Sequence, residues 1–248
     1  MSKAKRLRLF AGPNGSGKST LFEAFRENHN PGIFVNSDWV EKEISEKGFI
    51  DMKPFGLEVT QNDLLDFFQT PNAQSLLQKS KTEGHAIDIA IKENIIVDKS
   101  KNTHSYEAAL ITSFIRAYLL KNGISFAFES VMSHHSKLDE IQKAKEMGYK
   151  IYLYFICLDS SDINISRVQN RVQKGGHSVD ERKIVSRYHN TLKNLLPALN
   201  IADRAYIFDN SNQMLLIAEV NNNELKINIE PEHLPNWFTE YCINKIYS

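Results

Sequence analysis

A glycine-rich stretch near the start of the chain has the residue types and spacing of a phosphate-binding loop. Residues 12–19 read GPNGSGKS, which satisfies G-x-x-x-x-G-K-[ST], and they lie between a short apolar run and an apparent helix over residues 20–28. In such a loop the glycines let backbone N–H groups converge on phosphate oxygens, and the helix N-terminus adds its positive dipole end. The sequence therefore predicts a nucleoside triphosphate site.

The residues of this loop have separate expected roles. Lys18 is expected to reach the β- and γ-phosphates, and the Ser19 hydroxyl is expected to ligate Mg²⁺. ATP and Mg²⁺ are the predicted cofactors. The residues predicted to bind the nucleotide are Gly12, Pro13, Asn14, Gly15, Ser16, Gly17, Lys18, Ser19 and Thr20. A glycine turn that binds nothing is the alternative, and the strand–loop–helix context of the full motif argues against it.

The loop alone does not define the reaction, because several classes of protein use it. The chain lacks the Ser-Gly-Gly-rich signature and the strand ending in paired acids of ATP-binding cassettes. It also lacks the Asn-Lys-x-Asp element with which GTPases bind their base. The class that remains is the kinases, in which the protein places an acceptor hydroxyl in line with the γ-phosphate.

Two acidic residues follow predicted strands and are candidates for the acceptor side. Asp38 comes after the run Ile33–Val35, and Glu129 closes the run Ser125–Phe128. Ligands of parallel sheets bind at the carboxyl ends of the strands, so we expect Asp38 to act as general base. We expect Glu129 and Ser133 to bind the substrate. For Asp38, an Asx turn or a helix N-cap is the alternative.

Arginines recur on two predicted helices that are separated by a double glycine. Arg167 and Arg171 lie four residues apart on the first helix, Gly175-Gly176 ends it, and Arg187 lies on the second. We predict a lid that brings Arg171 and Arg187 over the transferring phosphate, with His177 as a donor or hinge residue. Solvated surface arginines are the alternative, which has more weight for Arg167 than for Arg171 and Arg187.

Composition limits the classes of partner. The chain has 42% hydrophobic and 24% charged residues, and thirty Lys and Arg balance thirty Asp and Glu. The overall charge therefore gives no reason to expect a nucleic acid or an anionic membrane as partner. No apolar stretch before the loop suits a signal peptide or a membrane span, which predicts a cytoplasmic protein. Cys157 lies in an apolar run and is expected to be a buried structural thiol.

Short apolar runs alternate with helical patterns, which predicts an α/β fold with a parallel sheet flanked by helices. We treat residues 1–248 as a single P-loop kinase domain. Capping-box spacing predicts helices that begin at Ser136 and Ser178. The predicted strands are Arg8–Ala11, Ile33–Val35, Ser125–Phe128, Lys150–Leu158 and Ala205–Phe208.

Residues 40–103 interrupt this alternation. The sequence predicts a helical pair that begins at Thr60 and Thr70, followed by a small hairpin around Glu93-Asn94. The stretch is longer than a simple crossover requires, so we predict an inserted cap over the active site that selects the substrate. A stabilising elaboration is the alternative. Asn221–Asn223 predict a C-terminal hairpin, and residues 233–247 predict a closing amphipathic helix.

Taken together, these motifs resemble the zeta-toxin-like P-loop kinases. The resemblance covers about residues 6–39 and 123–211, through AGPNGSGKST, VNSDWV, SFAFESVMSH, SRVQNRVQKGGHSVDERKIVSRYHNTLKNL and ADRAYIFDNS. It implies that Asp38 is the catalytic base and that Lys18 and Ser19 hold ATP and Mg²⁺. It also implies that Arg171 and Arg187 approach the γ-phosphate and that Glu129 shapes the acceptor site. The implied acceptor is the sugar 3′-hydroxyl of UDP-N-acetylglucosamine, and some members have an antitoxin partner.

Three functions are therefore open at this point. The leading hypothesis is a kinase that phosphorylates a hydroxyl of a small molecule, with UDP-N-acetylglucosamine as the first acceptor to consider. The second is a polynucleotide 5′-hydroxyl kinase, against which the neutral charge argues. The third is a nucleotide-gated binding module that binds ATP and transfers nothing.

Overall fold

A computed structural model describes residues 4–100, 105–176 and 178–246. Its strands are β1 Arg6–Ala11, β2 Ile33–Val35, β3 Phe49–Asp51, β4 Ile89–Lys92, β5 Ile95–Asp98, β6 Phe126–Ser130, β7 Lys150–Cys157, β8 Arg204–Asp209, β9 Leu215–Asn221 and β10 Glu224–Ile227. Its longer helices are α1 Lys18–Asn28, α2 Ser37–Lys47, α3 Gln61–Phe68, α4 Pro71–Thr82, α5 Ser105–Lys121, α6 Ser136–Glu146, α7 Ser161–Gln173, α8 Glu181–Lys193 and α9 Leu195–Ile201. Contacts divide the chain into two compact units, residues 33–126 and the two flanking segments together.

The unit formed by segments 1–32 and 127–248 is built on a largely parallel sheet. Its strands lie in the order β10-β9-β8-β7-β1-β6. Strand β7 runs parallel to both β1 and β8, with Leu9 opposite Leu153 and Leu153 opposite Ala205. Strands β9 and β10 add an antiparallel hairpin at one edge. The predicted α/β class, with a parallel sheet flanked by helices, is confirmed.

Successive side chains of a strand point to opposite faces of the sheet. Both faces of this sheet are covered by aromatic packing. On one face Phe10 packs against Phe22 of α1, with ring centroids 5.2 Å apart, and stacks on Tyr154 at 4.7 Å. On the other face Phe155 contacts Trp237 near the C-terminus at 6.0 Å. Phe10 and Phe155 are fully buried, and burying one such ring contributes about 1.5–3 kcal/mol.

The unit of residues 33–126 contains the predicted insertion and has its own small sheet. Strands β3, β5 and β4 lie side by side in that order and are antiparallel. Glu93 and Asn94 have φ values of 51° and 65°, as a two-residue hairpin turn requires. The predicted helical pair corresponds to α3 and α4, and the predicted hairpin to β4 and β5. Residues 101–104, where that prediction ended, lie outside the described residues.

Helix α5 was not predicted. It has 17 residues, and buried residues occur on all sides of it. Its buried residues include Glu107, Thr112 and Arg116. A helix that is buried on all sides has no clear amphipathic period, which is the signal from which helices are predicted. Strand β3 and the adjoining 3₁₀ turn Lys53–Phe55 were missed as well, since three-residue elements carry almost no periodicity.

The capping boxes predicted at Ser136 and Ser178 are absent, although α6 begins at Ser136 as predicted. Helix α6 is preceded by His135 without a side-chain cap, and Ser136 is already helical. Helix α8 is capped by Asp180, whose carboxylate accepts a hydrogen bond from the Lys183 amide at 3.1 Å, so Ser178 lies outside the helix. At α3 the predicted box is present, with the Thr60 amide donating to Asp63 at 2.9 Å.

The C-terminal elements agree with prediction in type and shift in their bounds. The hairpin turn contains Asn222 and Asn223, with φ values of 50° and 68°. A 3₁₀ turn over Pro231–His233 precedes the closing helical run, which begins at Asn236 and contains a π turn over Thr239–Ile243. Among the residues that the structure describes, no helix is long and apolar enough to cross a membrane.

Candidate active site

The phosphate-binding loop follows β1 and curves tightly against the end of β7. Gly12 has a φ of 153°, and a Cβ atom there would lie 2.0 Å from the Ile156 carbonyl oxygen. Gly17 has a φ of 104°, and its Cβ would lie 2.6 Å from Nδ2 of Asn210. Only glycine fits at either position, because the backbone conformation and the close neighbours both exclude a side chain. The glycines at these two positions of the motif are therefore required by the space and the backbone conformation of the loop.

Lys18 begins α1 and folds back over the loop. Its Nζ donates hydrogen bonds to the carbonyl oxygens of Gly12 and Pro13, both at 2.9 Å. The ammonium is thus held over the concave side of the loop, where phosphate oxygens can replace the two carbonyls. Thr20, the third residue of the helix, is exposed.

A hydroxyl and a carboxylate meet at the head of α1. Ser19 Oγ donates a hydrogen bond to Oε2 of Glu129 at 3.3 Å. Ser19 lies at the start of α1, and Glu129 lies at the carboxyl end of β6. Hard oxygen atoms of this kind are the ligands that Mg²⁺ prefers, so the donor set fits the predicted ion.

Two asparagines from later in the chain fix the backbone of the loop. Asn164 Nδ2 donates to the Asn14 carbonyl at 2.5 Å, and Asn210 Nδ2 donates to the Ser16 carbonyl at 2.8 Å. The Asn210 amide in turn donates to the Cys157 carbonyl at 2.9 Å. Neither asparagine was assigned this role from the sequence, although Asn210 belongs to the Asp-Asn-Ser motif.

Three polar atoms in and beside the loop retain hydrogen-bonding capacity. Oγ of Ser16, Oδ1 of Asn14 and Oδ1 of Asn164 are buried, and no partner for them lies within the part of the chain that the structure describes. Ser16 and Asn164 are 0% exposed. Buried polar groups are normally paired. Together with the glycine cradle, these atoms fit a loop built to receive a polar ligand such as a triphosphate.

The arginines do not all have the expected surroundings. Arg167 Nη2 donates to the carbonyls of Asn210 at 2.7 Å and Ser211 at 3.3 Å, so the solvated alternative is wrong for this residue. Arg171 is exposed on the last turn of α7, and Arg187 is half-buried on α8. His177 lies outside the described residues.

Both arginine-bearing helices are anchored to the body of their unit. Asn164 ties α7 to the phosphate-binding loop, and Arg167 ties it to the segment after β8. The Tyr188 hydroxyl ties α8 to the carbonyls of Leu158 at 3.0 Å and Asp159 at 3.1 Å. The lid movement stays a prediction.

Helix α8 also holds the turn that follows Glu129. Thr191 Oγ1 donates to the Val131 carbonyl at 2.7 Å, and Asn194 Nδ2 donates to the Met132 carbonyl at 2.9 Å. Met132 has a φ of 57°, an unfavourable conformation for a large side chain that the surroundings must stabilise. Arg187 lies one helical turn before Thr191 and therefore shares the helix face that adjoins this turn. Ser133, predicted to bind substrate, follows Met132 and is half-buried.

Asp38 belongs to the unit of residues 33–126 and lies in the first turn of α2. The N-cap of that helix is Asn36, whose Oδ1 accepts a hydrogen bond from the Trp39 amide at 3.0 Å. The capping alternative for Asp38 is therefore wrong. Its carboxylate is exposed, which leaves it accessible for proton transfer.

Both cysteines are buried. Burial raises the pKa of the Cys157 thiol far above its ordinary range, and it raises the pKa of Cys242 to about 12. A thiol that stays protonated is a poor nucleophile. The expectation that Cys157 is a structural thiol is confirmed.

A family model described as zeta toxin matches residues 90–222 of the chain. The chain belongs to the zeta toxin family. The matched region contains Glu129, Arg171 and Arg187, and it begins after the phosphate-binding loop and Asp38. Family membership and the loop together support a nucleotide-dependent kinase.

Known proteins show further similarity. An uncharacterized protein of Haemophilus influenzae is 34% identical over 71 residues, which are 29% of this chain and 51% of that protein. The chain therefore spans about half the length of that relative. The AvrRxo1-ORF1:AvrRxo1-ORF2 structure with sulphate ions matches at 15% identity and a TM-score of 0.52, covering 92% of this chain and 62% of that chain. A structure from the PezAT chromosomal toxin–antitoxin system of Streptococcus pneumoniae matches at 14% identity and a TM-score of 0.48, covering 87% and 71%. At 15% identity, the AvrRxo1 match shows a shared fold.

Proposed function

We propose that this protein is a cytoplasmic kinase that transfers the γ-phosphoryl group of ATP to a hydroxyl of a small molecule. The observation that carries the proposal is the Ser19–Glu129 pair at the mouth of a glycine cradle under Lys18. The pair offers oxygen ligands for Mg²⁺ beside the place where Lys18 would meet the β- and γ-phosphates, as phosphoryl transfer requires. We take the 3′-hydroxyl of UDP-N-acetylglucosamine as the leading acceptor, because the family resemblance implies it.

Each residue has one task in the proposed reaction. Asp38 accepts the proton of the acceptor hydroxyl while the oxygen forms its bond to the γ-phosphorus. The bond from that phosphorus to the β–γ bridging oxygen breaks, and ADP leaves. Lys18 stabilises the charge on the β- and γ-phosphates, and Arg171 and Arg187 stabilise charge on the transferred group.

Ser19 and Glu129 would hold Mg²⁺, which supplies positive charge beside the phosphates when it is bound. The glycines and asparagines around the loop keep the triphosphate in place, so that the γ-phosphorus stays in line with the acceptor. Positioning of this kind supplies much of the rate in phosphoryl transfer.

ADP release with and without an acceptor tests the proposal. Purified protein and Mg²⁺-ATP should release ADP much faster when UDP-N-acetylglucosamine is present, and Lys18→Met should abolish the increase. A 5′-hydroxyl oligonucleotide serves as the second acceptor. Faster release with the oligonucleotide, falling steeply with salt, would favour a polynucleotide kinase. ATP binding without product from any acceptor would favour a binding module.

We also propose that the protein is a toxin with an antitoxin partner, because the chain belongs to a family named for a toxin. Toxicity is the part of this proposal that is tested first. Expression of the wild-type chain alone should slow bacterial growth, and expression of the Lys18→Met variant should not. Equal growth of the two strains at equal protein levels would contradict a toxic role.

A further inference from the structure

The double glycine after α7 forms a specific helix ending. The Gly175 amide donates to the Val172 carbonyl at 2.9 Å, and the Gly176 amide donates to the Arg171 carbonyl at 3.0 Å. Gly175 has a φ of 88°, in the left-handed region. These two bonds and this conformation define a Schellman ending. Gly175 is thus sufficient to explain why the helix stops.

Gly176 needs a different explanation. In a Schellman ending, the residue at this position usually packs its side chain against the residue at the position of Arg171. Here a Cβ on Gly176 would lie 2.6 Å from Cγ and 3.2 Å from Cδ of Arg171, and 3.0 Å from its carbonyl oxygen. The methylene groups of Arg171 therefore occupy the space where the side chain of residue 176 would be.

The requirement for glycine at this position is steric. The φ of Gly176 is not in the left-handed region, so other residues can adopt its backbone conformation without strain. Gly175 is the reverse case, because its φ is left-handed and nothing lies within 4 Å of a Cβ there. Gly175 is thus required by its backbone conformation, and Gly176 is required by the space that the Arg171 side chain occupies.

Gly176 and Arg171 also line one open depression of 460 Å³ at the end of α7, together with Arg167 and Lys174. Arg171 is exposed, and a long exposed side chain ordinarily samples several rotamers. Packing of its methylene groups on Gly176 restricts those rotamers and so restricts where the guanidinium lies.

We propose that Gly176 is a positioning residue that directs the side chain of Arg171. The inference rests on the proposed function, in which Arg171 stabilises the transferred phosphoryl group. It assigns to Gly176 a task beyond ending the helix. A guanidinium that is already directed loses less conformational freedom when it binds phosphate. The positioning therefore increases the rate of phosphoryl transfer.

Four variants test this inference: Gly176→Ala, Gly175→Asn, Arg171→Ala and the double variant Gly176→Ala with Arg171→Ala. Gly175→Asn is the matched control, because asparagine tolerates the left-handed conformation and has open space there. The measurements are kcat and KM for ATP, ATP affinity by titration calorimetry, and the midpoint of thermal unfolding.

We expect Gly176→Ala to lower kcat by about 10- to 100-fold, with an unfolding midpoint close to that of Gly175→Asn. The double variant should be no slower than Arg171→Ala alone, because both changes disable the same side chain. A Gly176→Ala enzyme as fast as Gly175→Asn would overturn the inference. So would losses that multiply in the double variant, since these would show that the two residues act independently.

The failure of the proposed function would look different. If the wild type transfers no phosphoryl group to any acceptor, the proposed function fails by itself. ATP affinity then still decides the inference, which requires Gly176→Ala to weaken ATP binding in the wild-type chain and to cause no further loss in the Arg171→Ala chain. An unchanged affinity in the first case, or a further loss in the second, would overturn it.

Discussion

Ser19 Oγ donates a hydrogen bond to Glu129 Oε2 across 3.3 Å, which joins the first turn of α1 to the end of β6. This contact brings a motif residue against a carboxylate more than a hundred positions away. It assigns Glu129 a place beside the proposed Mg²⁺, in addition to the acceptor side where the sequence placed it.

The first prediction concerns this carboxylate. Glu129→Gln should raise the Mg²⁺ concentration required for half-maximal activity by about 10- to 100-fold, since removing the charge weakens a metal site by that order. The measurement is a Mg²⁺ titration of ADP release. Glu146→Gln is the control, because Glu146 is exposed on α6 and accepts a hydrogen bond from exposed Gln142 at 2.9 Å. Equal Mg²⁺ requirements for the two variants would contradict the assignment.

The second prediction concerns the anchor of the loop. Asn210→Ala removes the bond from Nδ2 to the Ser16 carbonyl and should cost about 1 kcal/mol of unfolding free energy. It should also raise KM for ATP, because the loop is then less well held. Asn228→Ala, which removes an exposed bond to Glu219, should leave KM unchanged. Urea unfolding and ATP titrations of both variants supply the comparison.

The third prediction uses two glycines that both have positive φ values, 82° at Gly148 and 153° at Gly12, in different surroundings. Gly148 has nothing within 4 Å of a Cβ, whereas a Cβ on Gly12 would lie 2.0 Å from the Ile156 carbonyl. Gly148→Ala should cost about 1–2 kcal/mol, the ordinary penalty of a left-handed alanine. Gly12→Ala should cost more and abolish ATP binding. Similar unfolding free energies for the two variants would contradict the close approach of residue 12 to the Ile156 carbonyl of β7.

The fourth prediction concerns the thiols. Burial raises the pKa of Cys157 well above its ordinary range and that of Cys242 to about 12. A raised pKa keeps the thiolate fraction small at pH 8, so neither residue should react with iodoacetamide in the folded protein. Mass spectrometry before and after unfolding reads this directly, with both sites labelled only after unfolding. Rapid native labelling of Cys157 would contradict its burial.

The elements that the sequence predicts well carry local signals. The phosphate-binding loop, the capping box of Thr60 and Asp63, and the turn at Glu93-Asn94 each depend on residues a few positions apart. Such patterns are visible without knowledge of the fold. The apolar runs of the parallel sheet are equally visible, because they are buried on both faces.

The residues that the sequence does not predict act over long separations. Asn210 and Ser16 are 194 positions apart, and Thr191 and Val131 are 60 apart. An asparagine after a strand or a threonine on a helix gives no sign of which carbonyl it will meet. The left-handed backbone of Met132 is not predictable for the same reason, since its stabilising bond comes from Asn194 at the end of α8.

The central claim is phosphoryl transfer assisted by Asp38, and product analysis tests it most directly. Wild-type protein and Asp38→Asn are incubated with Mg²⁺-ATP and UDP-N-acetylglucosamine, mass spectrometry follows the nucleotide sugar, and calorimetry measures ATP affinity. The wild type should add one phosphate to the sugar, and Asp38→Asn should be slower by about 10²- to 10⁴-fold with unchanged ATP affinity. A wild type that forms no phosphorylated sugar, or an Asp38→Asn variant that forms it at the wild-type rate, would contradict the account.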